Sequence, residues 1–387
     1  MKKKILFFTG SRADYGILKP LIQNVKNKNY ANVKLAASAQ HFSKTFGYTY
    51  KQIKRDGFNI DFKSKIKFEA TDMAKIIYYL SDSLKEYYKI IEKTKPSLVV
   101  ILGDRYEVFC FTLIAYLSGI PVAHLHGGEL TYGSFDDGLR HAISKLSDYH
   151  FVSHETYKKR VIQLGENPKR VFNVGALAMD NIYNSKLYNK NFLFKKFNIL
   201  TTKKIALVTF HPVTKNNTNY EDQITTFLNA LKKVDEYYYV FTYNNSDPRG
   251  KNFIKSINNF AKNNNNCKIF KTMGTKIYLS FIKNASVVVG NSSSGIYEAP
   301  ALKTITLNIG NRQDGRIFGD SIINSKINTK EIISKLRKIY KNQFKVNYKN
   351  IYFKKNIAEN ISSKIKKILN GDIKTTKNMK RFYDIKF

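Results

Sequence analysis

The 387-residue chain contains no tryptophan, only two cysteines and seven prolines, and no long uninterrupted apolar run. Cys110 and Cys267 lie far apart, each in or beside an apolar segment. They read as buried thiols, which excludes a disulfide framework or a cysteine-bound zinc site. The longest apolar stretch, residues 108–125, is split by Gly119 and Pro121. It falls short of the about 20 continuous apolar residues that a membrane helix needs. The opening MKKKILFF is too short in apolar residues for a signal peptide and reads as a first strand, so the expected setting is cytoplasmic. Acidic residues are also scarce, 29 against 66 basic ones, for a formal charge of +37. Such an imbalance raises a nucleic-acid or membrane-surface partner as a possibility. The lysines, however, are interleaved with Asn and Ile along the whole chain rather than gathered in a basic arm, which argues against specific nucleic-acid binding. No G-x-G-x-x-G fingerprint is present, which argues against a nicotinamide enzyme.

What is present is enough for two globular domains. The chain is 43% hydrophobic and 14% aromatic, so it can bury real cores. Short β-rich runs at Ile5–Phe8, Val33–Ala37, Leu98–Leu102 and Val122–Leu125 alternate with helix-length segments, the pattern of βαβ units around a parallel sheet. The pattern restarts at Ile205–Phe210 and continues through Tyr238–Thr242, Val287–Val289 and Thr304–Leu307. Between the halves, residues 184–203 are rich in Lys and Asn and lack acidic residues, which suits an exposed connection. The expected organisation is an α/β chain with a first domain at 1–185, a second at 203–355, and a helical segment at 356–387 that packs back on the first.

In a parallel sheet ligands bind beyond the carboxyl ends of the strands, so the residues just after each strand are the informative ones. Gly10-Ser11-Arg12 follows the first strand, where small residues let N–H groups approach an anion and Arg12 adds a positive fork. Gly103-Asp104-Arg105 follows Leu98–Leu102, and His124-Leu125-His126-Gly127-Gly128-Glu129 closes the next strand. Asp136, Asp137, Arg140 and His141 come soon after at helical spacing, which predicts pairs of Asp136 with Arg140 and Asp137 with His141. One such pair is ordinarily structural, whereas the whole cluster reads most simply as an acid/base site. In the second half, His211 follows one strand and Asn245 another. Gly290-Asn291-Ser292-Ser293-Ser294-Gly295 precedes a short helix with Glu298, a hydroxyl-rich helix start that suits a diphosphate. Arg312 and Arg316 add two cations after the last strand.

Taken together and in order, GSRADYG, GDRYE, HGGE with DDGLRHAISKLS, HPVT, GNSSSG and NRQDGR resemble the UDP-N-acetylglucosamine 2-epimerase family, in its hydrolysing branch. The resemblance is collinear from Gly10 to Arg316, and the G-T-R-P-E and H-x-E-A-G motifs of the non-hydrolysing branch are missing. Some relatives carry Glu at the position of His126. The resemblance implies two Rossmann-like domains in a glycosyltransferase-B-like arrangement, no metal, no other cofactor, and a homo-oligomer, a dimer or tetramer. It implies that Arg12, Arg105, His211, Asn245, Ser292, Ser293, Glu298 and Arg312 hold UDP. The acid/base candidates are Asp104, Glu129 and Asp137, with Asp136 beside them and His211 near the diphosphate. The implied reaction eliminates UDP across C1 and C2 to give 2-acetamidoglucal, which is then rehydrated to N-acetylmannosamine. The substrate is UDP-N-acetylglucosamine or the UDP-2,4-diacetamido-2,4,6-trideoxyglucose of the legionaminic-acid route. A non-hydrolysing epimerase and a UDP-sugar glycosyltransferase of the same architecture are the alternative readings.

Overall fold

The computed structural model describes residues 2–44, 47–64, 66, 73–132, 134–183, 185–213, 220–243, 250–373 and 380–385. They form two α/β domains, each built on an all-parallel sheet. The first sheet comprises β1 (Lys4–Thr9), β2 (Asn32–Ala37), β3 (Phe62–Lys63), β4 (Leu98–Leu102), β5 (Val122–Leu125), β6 (Tyr149–Val152) and β7 (Val171–Asn173), in the order β3-β2-β1-β4-β5-β6-β7. The second comprises β8 (Lys204–Thr209), β9 (Tyr237–Thr242), β10 (Cys267–Phe270), β11 (Val287–Gly290), β12 (Ile305–Ile309) and β13 (Ile322–Ser325), in the order β10-β9-β8-β11-β12-β13. This is the doubly wound Rossmann order, repeated in a glycosyltransferase-B-like pair of domains. Its switch points fall between β1 and β4 and between β8 and β11.

The strands are apolar on both faces because helices cover both sides. Ile5 and Phe7 of β1 enter one core cluster while Leu6 and Phe8 enter another. The same alternation divides Ile205 and Leu207 from Ala206 and Val208 in β8. Each such fully buried Val, Leu, Ile or Phe side chain contributes about 1.5–3 kcal/mol relative to exposure. One of these clusters is shared by both domains, running from Phe7 through Met179, Tyr352 and Ile361 to Leu207. Among the described residues no helix is long and apolar enough to cross a membrane.

The helix Ile357–Asn370 returns to the first domain, where Tyr30 Oη donates to the Ser362 carbonyl at 2.9 Å and Lys28 pairs with Glu359 at 2.9 Å. Its own N-cap, Asn356, has φ 53° and makes no side-chain cap. The caps come instead from Asp180, on the helix Ala178–Tyr183, which accepts from the backbone N–H groups of Ile357 (3.2 Å) and Ala358 (2.6 Å). The expected helical character of 356–387 is corrected on one point. Gly371, at φ 87°, ends the helix in the left-handed conformation, and the described residues 380–385 form no helix. The thiols also differ from expectation, since Cys110 is buried while Cys267, at the start of edge strand β10, is only partly so. On the helix Met73–Thr94, Tyr79 and Tyr87 are core residues bonded to the Ser38 hydroxyl at 2.7 Å each, whereas Tyr78 and Tyr88 are exposed.

Asp180→Ala removes the acceptor of two helix-start N–H groups. It should lower stability to urea by about 1–3 kcal/mol, and hydrogen exchange should quicken selectively over residues 357–370.

Candidate active site

At the first switch point the chain turns from β1 into the helix Arg12–Lys28. Ser11 and Asp14 form a reciprocal capping box, and Asp14 also accepts from the Gly10 N–H at 2.9 Å. Gly10 is required by space, because a Cβ there would lie 2.5 Å from Cγ of the buried Glu107. Arg12 leaves its own domain, donating to the carbonyls of Lys271 (2.8 Å) and Tyr243 (3.4 Å) in the second. Arg105 turns inward, with Nε on Glu107 at 2.9 Å and a further bond to the Tyr106 hydroxyl.

The acid/base candidates do come together beyond β4 and β5, with Arg140 bonded chiefly outside its own helix. Arg140, on the helix Asp136–Leu146, is buried and reaches back to Asp104, with Nε at 3.0 Å and Nη2 bonded to the same oxygen. It also donates to the Glu129 carbonyl (2.8 Å) and the Thr131 hydroxyl (3.0 Å), and lies 3.6 Å from Asp137. A fully buried guanidinium needs several acceptors, and a single carboxylate one turn away does not supply them. Burial works to raise the Asp104 carboxyl, but Arg140 and then Arg316 overcome it and hold the group below the ordinary range. Asp137 accepts from the Thr131 N–H at 2.6 Å, and the Asp136 N–H is bonded to Ser134 Oγ at 3.3 Å. Asp137 also acts electrostatically on His141, whose imidazole burial holds below its usual value.

The histidines of the β5 loop have different fates. His124 Nε2 faces the Gly103 carbonyl at 2.8 Å, so that nitrogen carries the proton and Nδ1 accepts from Ser144 Oγ at 3.1 Å. Burial pushes His124 down to about 3, so it is a neutral clip between β4 and β5. His126 adopts φ 65° and places Nδ1 3.0 Å from Glu129 Oε1. The same oxygen accepts from Ser153 Oγ at 3.0 Å, and Oε2 pairs with Arg316 Nη1 at 3.1 Å. Burial opposes ionisation of Glu129, but Arg316 and then His126 outweigh it and fix a carboxylate well below the usual range.

In the second domain Asn291 organises three loops. Its side chain accepts from the His211 N–H (2.7 Å) and donates to the His211 carbonyl (2.8 Å), clamping the ends of β8 and β11 together. Its own carbonyl receives Arg312 (3.2 Å) and Gln313 (2.7 Å) from the loop after β12. His211, Ser292, Ser293 and Arg312 are thereby gathered at one place. Ser293 precedes the helix Ser294–Ala301 but makes no side-chain cap to it. Tyr278 bonds Ser294 Oγ and senses both Arg12 and Glu298, which puts the Arg12 side chain and the start of this helix in one neighbourhood. Glu298 has a buried Oε2 with no partner among the described residues, and burial pushes its carboxyl up to about 7. Asn245 lies outside the described residues.

Across the cleft, Arg316 joins Glu129 to the Tyr297 hydroxyl (3.0 Å), and the Tyr132 N–H donates to the Asp314 carbonyl at 3.0 Å. Sequence reasoning noted Arg316 only as a loop cation, and it missed Ser153 and Tyr297. The one available signal was the second arginine of NRQDGR.

Residues 23–366 match the family model described as UDP-N-acetylglucosamine 2-epimerase. The chain is 40% identical to the GDP/UDP-N,N'-diacetylbacillosamine 2-epimerase (hydrolyzing) of Campylobacter jejuni, over 89% of this chain and 90% of that protein. It is 35% identical to the polysialic acid biosynthesis protein P7 of Escherichia coli, over 99% and 98%. A crystal structure of UDP-GlcNAc 2-epimerase from Neisseria meningitidis bound to UDP-GlcNAc has the same fold, with a TM-score of 0.78 at 19% identity over 94% of this chain and 99% of that one. With the motifs at the facing ends of the two sheets and the family match across most of its length, the chain belongs to the UDP-N-acetylglucosamine 2-epimerase family.

Proposed function

We propose that this chain is a hydrolysing UDP-sugar 2-epimerase, which releases UDP and a free 2-epimerised amino sugar. The observation that carries this reading is the division of labour between the two facing loop sets. Carboxylates and histidines gather on the first domain, while hydroxyls and cations gather at a helix start on the second. Elimination across C1 and C2 needs a base near C2 and stabilisation of the departing diphosphate, and these two sets are suited to one task each.

In this reading Arg12, His211, Asn245, Ser292, Ser293 and Arg312 hold UDP, and Glu298 accepts from the ribose hydroxyls. Arg105 supports the site from beneath by holding Glu107 under the Gly10 turn. Asp104 and Asp137, with Asp136 alongside, form the carboxylate wall of the sugar pocket, and Arg140 keeps Asp104 ionised. Departure of UDP leaves 2-acetamidoglucal. Water then supplies hydroxyl to C1, and C2 is reprotonated from the opposite face. Two sugars fit this chemistry, UDP-N-acetylglucosamine and UDP-2,4-diacetamido-2,4,6-trideoxyglucose. The similarity to the Campylobacter jejuni enzyme, named for diacetylbacillosamine, favours the second.

Proton NMR of the purified protein in D₂O, with each sugar nucleotide in turn and no acceptor, tests the reading. The expected products are free UDP and the free 2-epimer with deuterium at C2. A lasting epimerised UDP-sugar would establish the non-hydrolysing reaction instead, and no turnover without an acceptor would favour a glycosyltransferase.

The raised carboxyl of Glu298 gives a second test. Protonated below about 7, it accepts poorly from ribose hydroxyls, and ionised above that value it accepts well. UDP affinity should therefore rise as pH passes upward through this region, with proton release on binding. Calorimetry in buffers of different ionisation enthalpy reads both effects, and Glu298→Gln should flatten the pH dependence.

A further inference from the structure

The loop that follows β5 is built to bring two side chains together. Gly127 and Gly128 sit where larger residues do not fit: a Cβ on Gly127 would lie 2.7 Å from Ser144 Oγ, and one on Gly128 would lie 2.5 Å from the Tyr157 carbonyl. Gly128 also has φ 78°, and the His126 N–H is tied to the Phe151 carbonyl at 2.9 Å. The chain therefore turns back within three residues and sets Glu129 against His126. His126 itself holds φ 65°, a left-handed conformation that residues other than glycine adopt uncommonly, histidine more readily than most.

Glu129 is unsuited to carrying a proton, because all its bonding serves to keep it charged. Ser153, His126 and Arg316 occupy its two oxygens, and its carboxyl is held well below the usual range by Arg316 and His126 against the opposing effect of burial. A carboxylate so placed can only accept, so Nδ1 of His126 carries a hydrogen and Nε2 is the nitrogen left to exchange a proton. That nitrogen is buried and has no hydrogen-bond partner among the described residues. The ring packs edge-to-face with Tyr297 of the second domain, centroids 5.9 Å apart, so it stands between the two domains. Asp104, by contrast, is bonded to Arg140, and Asp137 to the Thr131 N–H.

Resting on the reading of the chain as a 2-epimerase that works by elimination, we infer that His126 Nε2 is the base that takes the C2 proton, and that Glu129 is its positioning residue. The C2–H electron pair becomes the second bond of C1=C2, the C1–O bond breaks with its pair going to UDP, and the proton resides on His126 as the imidazolium. Glu129 stabilises that cation through Nδ1–H. The proton is then lost to solvent, and water supplies the hydroxyl at C1 and the hydrogen at C2 in the second half. The charged and titratable groups around the pair include Glu129 on its own loop, Asp104 beyond β4, Arg140 on the helix Asp136–Leu146, Tyr157 on the helix Glu155–Gln163, Tyr352 before the helix Ile357–Asn370, and Arg316 and Tyr297 from the second domain.

The test uses the full chain with both sugar nucleotides in D₂O. His126→Asn suits the left-handed backbone, so it should fold and should bind UDP within about threefold of the parent while turnover falls by ~10² or more. His126→Glu restores a group able to take a proton and should be at least about tenfold faster than His126→Asn. In Glu129→Gln the charge that favours the imidazolium is gone, so the acid limb of the pH–rate profile should move to lower pH as turnover falls. Parent activity with His126→Asn turnover within threefold would overturn the inference alone, as would loss of UDP binding in step with turnover. A drop in Glu129→Gln turnover with the limb unmoved would overturn the positioning role. Absence of C2 exchange in the parent with both sugars would instead overturn the functional reading, and this inference with it.

Discussion

Glu129 is a charge that the interior tolerates only because four groups agree on it. Ser153 and His126 come from its own domain, Arg316 comes from the other, and Arg140 holds its backbone carbonyl. Removing one partner of such a pair typically costs about 3–5 kcal/mol, because the other charge is left buried and uncompensated. The two domains therefore have one relative arrangement in which this carboxylate is satisfied. The Tyr132–Asp314 backbone bond and the approach of Gly315 to Leu130, where a Cβ would lie 2.6 Å away, reinforce that arrangement. The ion pair joins the domains and orients the histidine in a single contact.

The two halves meet this contact by the same topological device. In each sheet the chain reverses direction of winding at the first strand, leaving a crevice between the loops of strands one and four. In the first domain the crevice is lined by the Gly10 turn and by Asp104. In the second it is lined by His211 and the Asn291 loop, locked to one another by the side-chain clamp. The first crevice gathers carboxylates and histidines, whereas the second gathers hydroxyls and a cation, so the two lining chemistries meet only across the cleft. Arg12 spans the gap and bonds to carbonyls of the opposite domain.

Much of this was legible in the sequence because it depends on short-range chemistry. The strands at Ile5, Leu98, Val122, Ile205 and Val287 are continuous apolar runs followed at once by glycine or polar turns, and their order already implies a parallel sheet. Edge and late strands such as β3, β7 and β10 were not legible, since two to four residues of mixed polarity carry no period to read. That Asp104, Glu129, Asp137 and Arg140 gather at one place was readable, but the partner of Arg140 was not. Helical spacing pairs Arg140 with its own helix, whereas its burial against β4 and β5 decides for Asp104. The link of Glu129 to Arg316 lies across 187 positions of sequence and depends on domain closure, which no local pattern records.

The return of the helix Ile357–Asn370 to the first domain means that the chain crosses between the domains twice, once on leaving β7 for β8 and again on the way back. A single tether allows two bodies to swivel and twist freely, whereas two tethers confine them to folding about the line that joins the crossings. The second crossing therefore limits how far the two domains can twist against each other, and it is across a cleft bounded in this way that Arg316 meets Glu129.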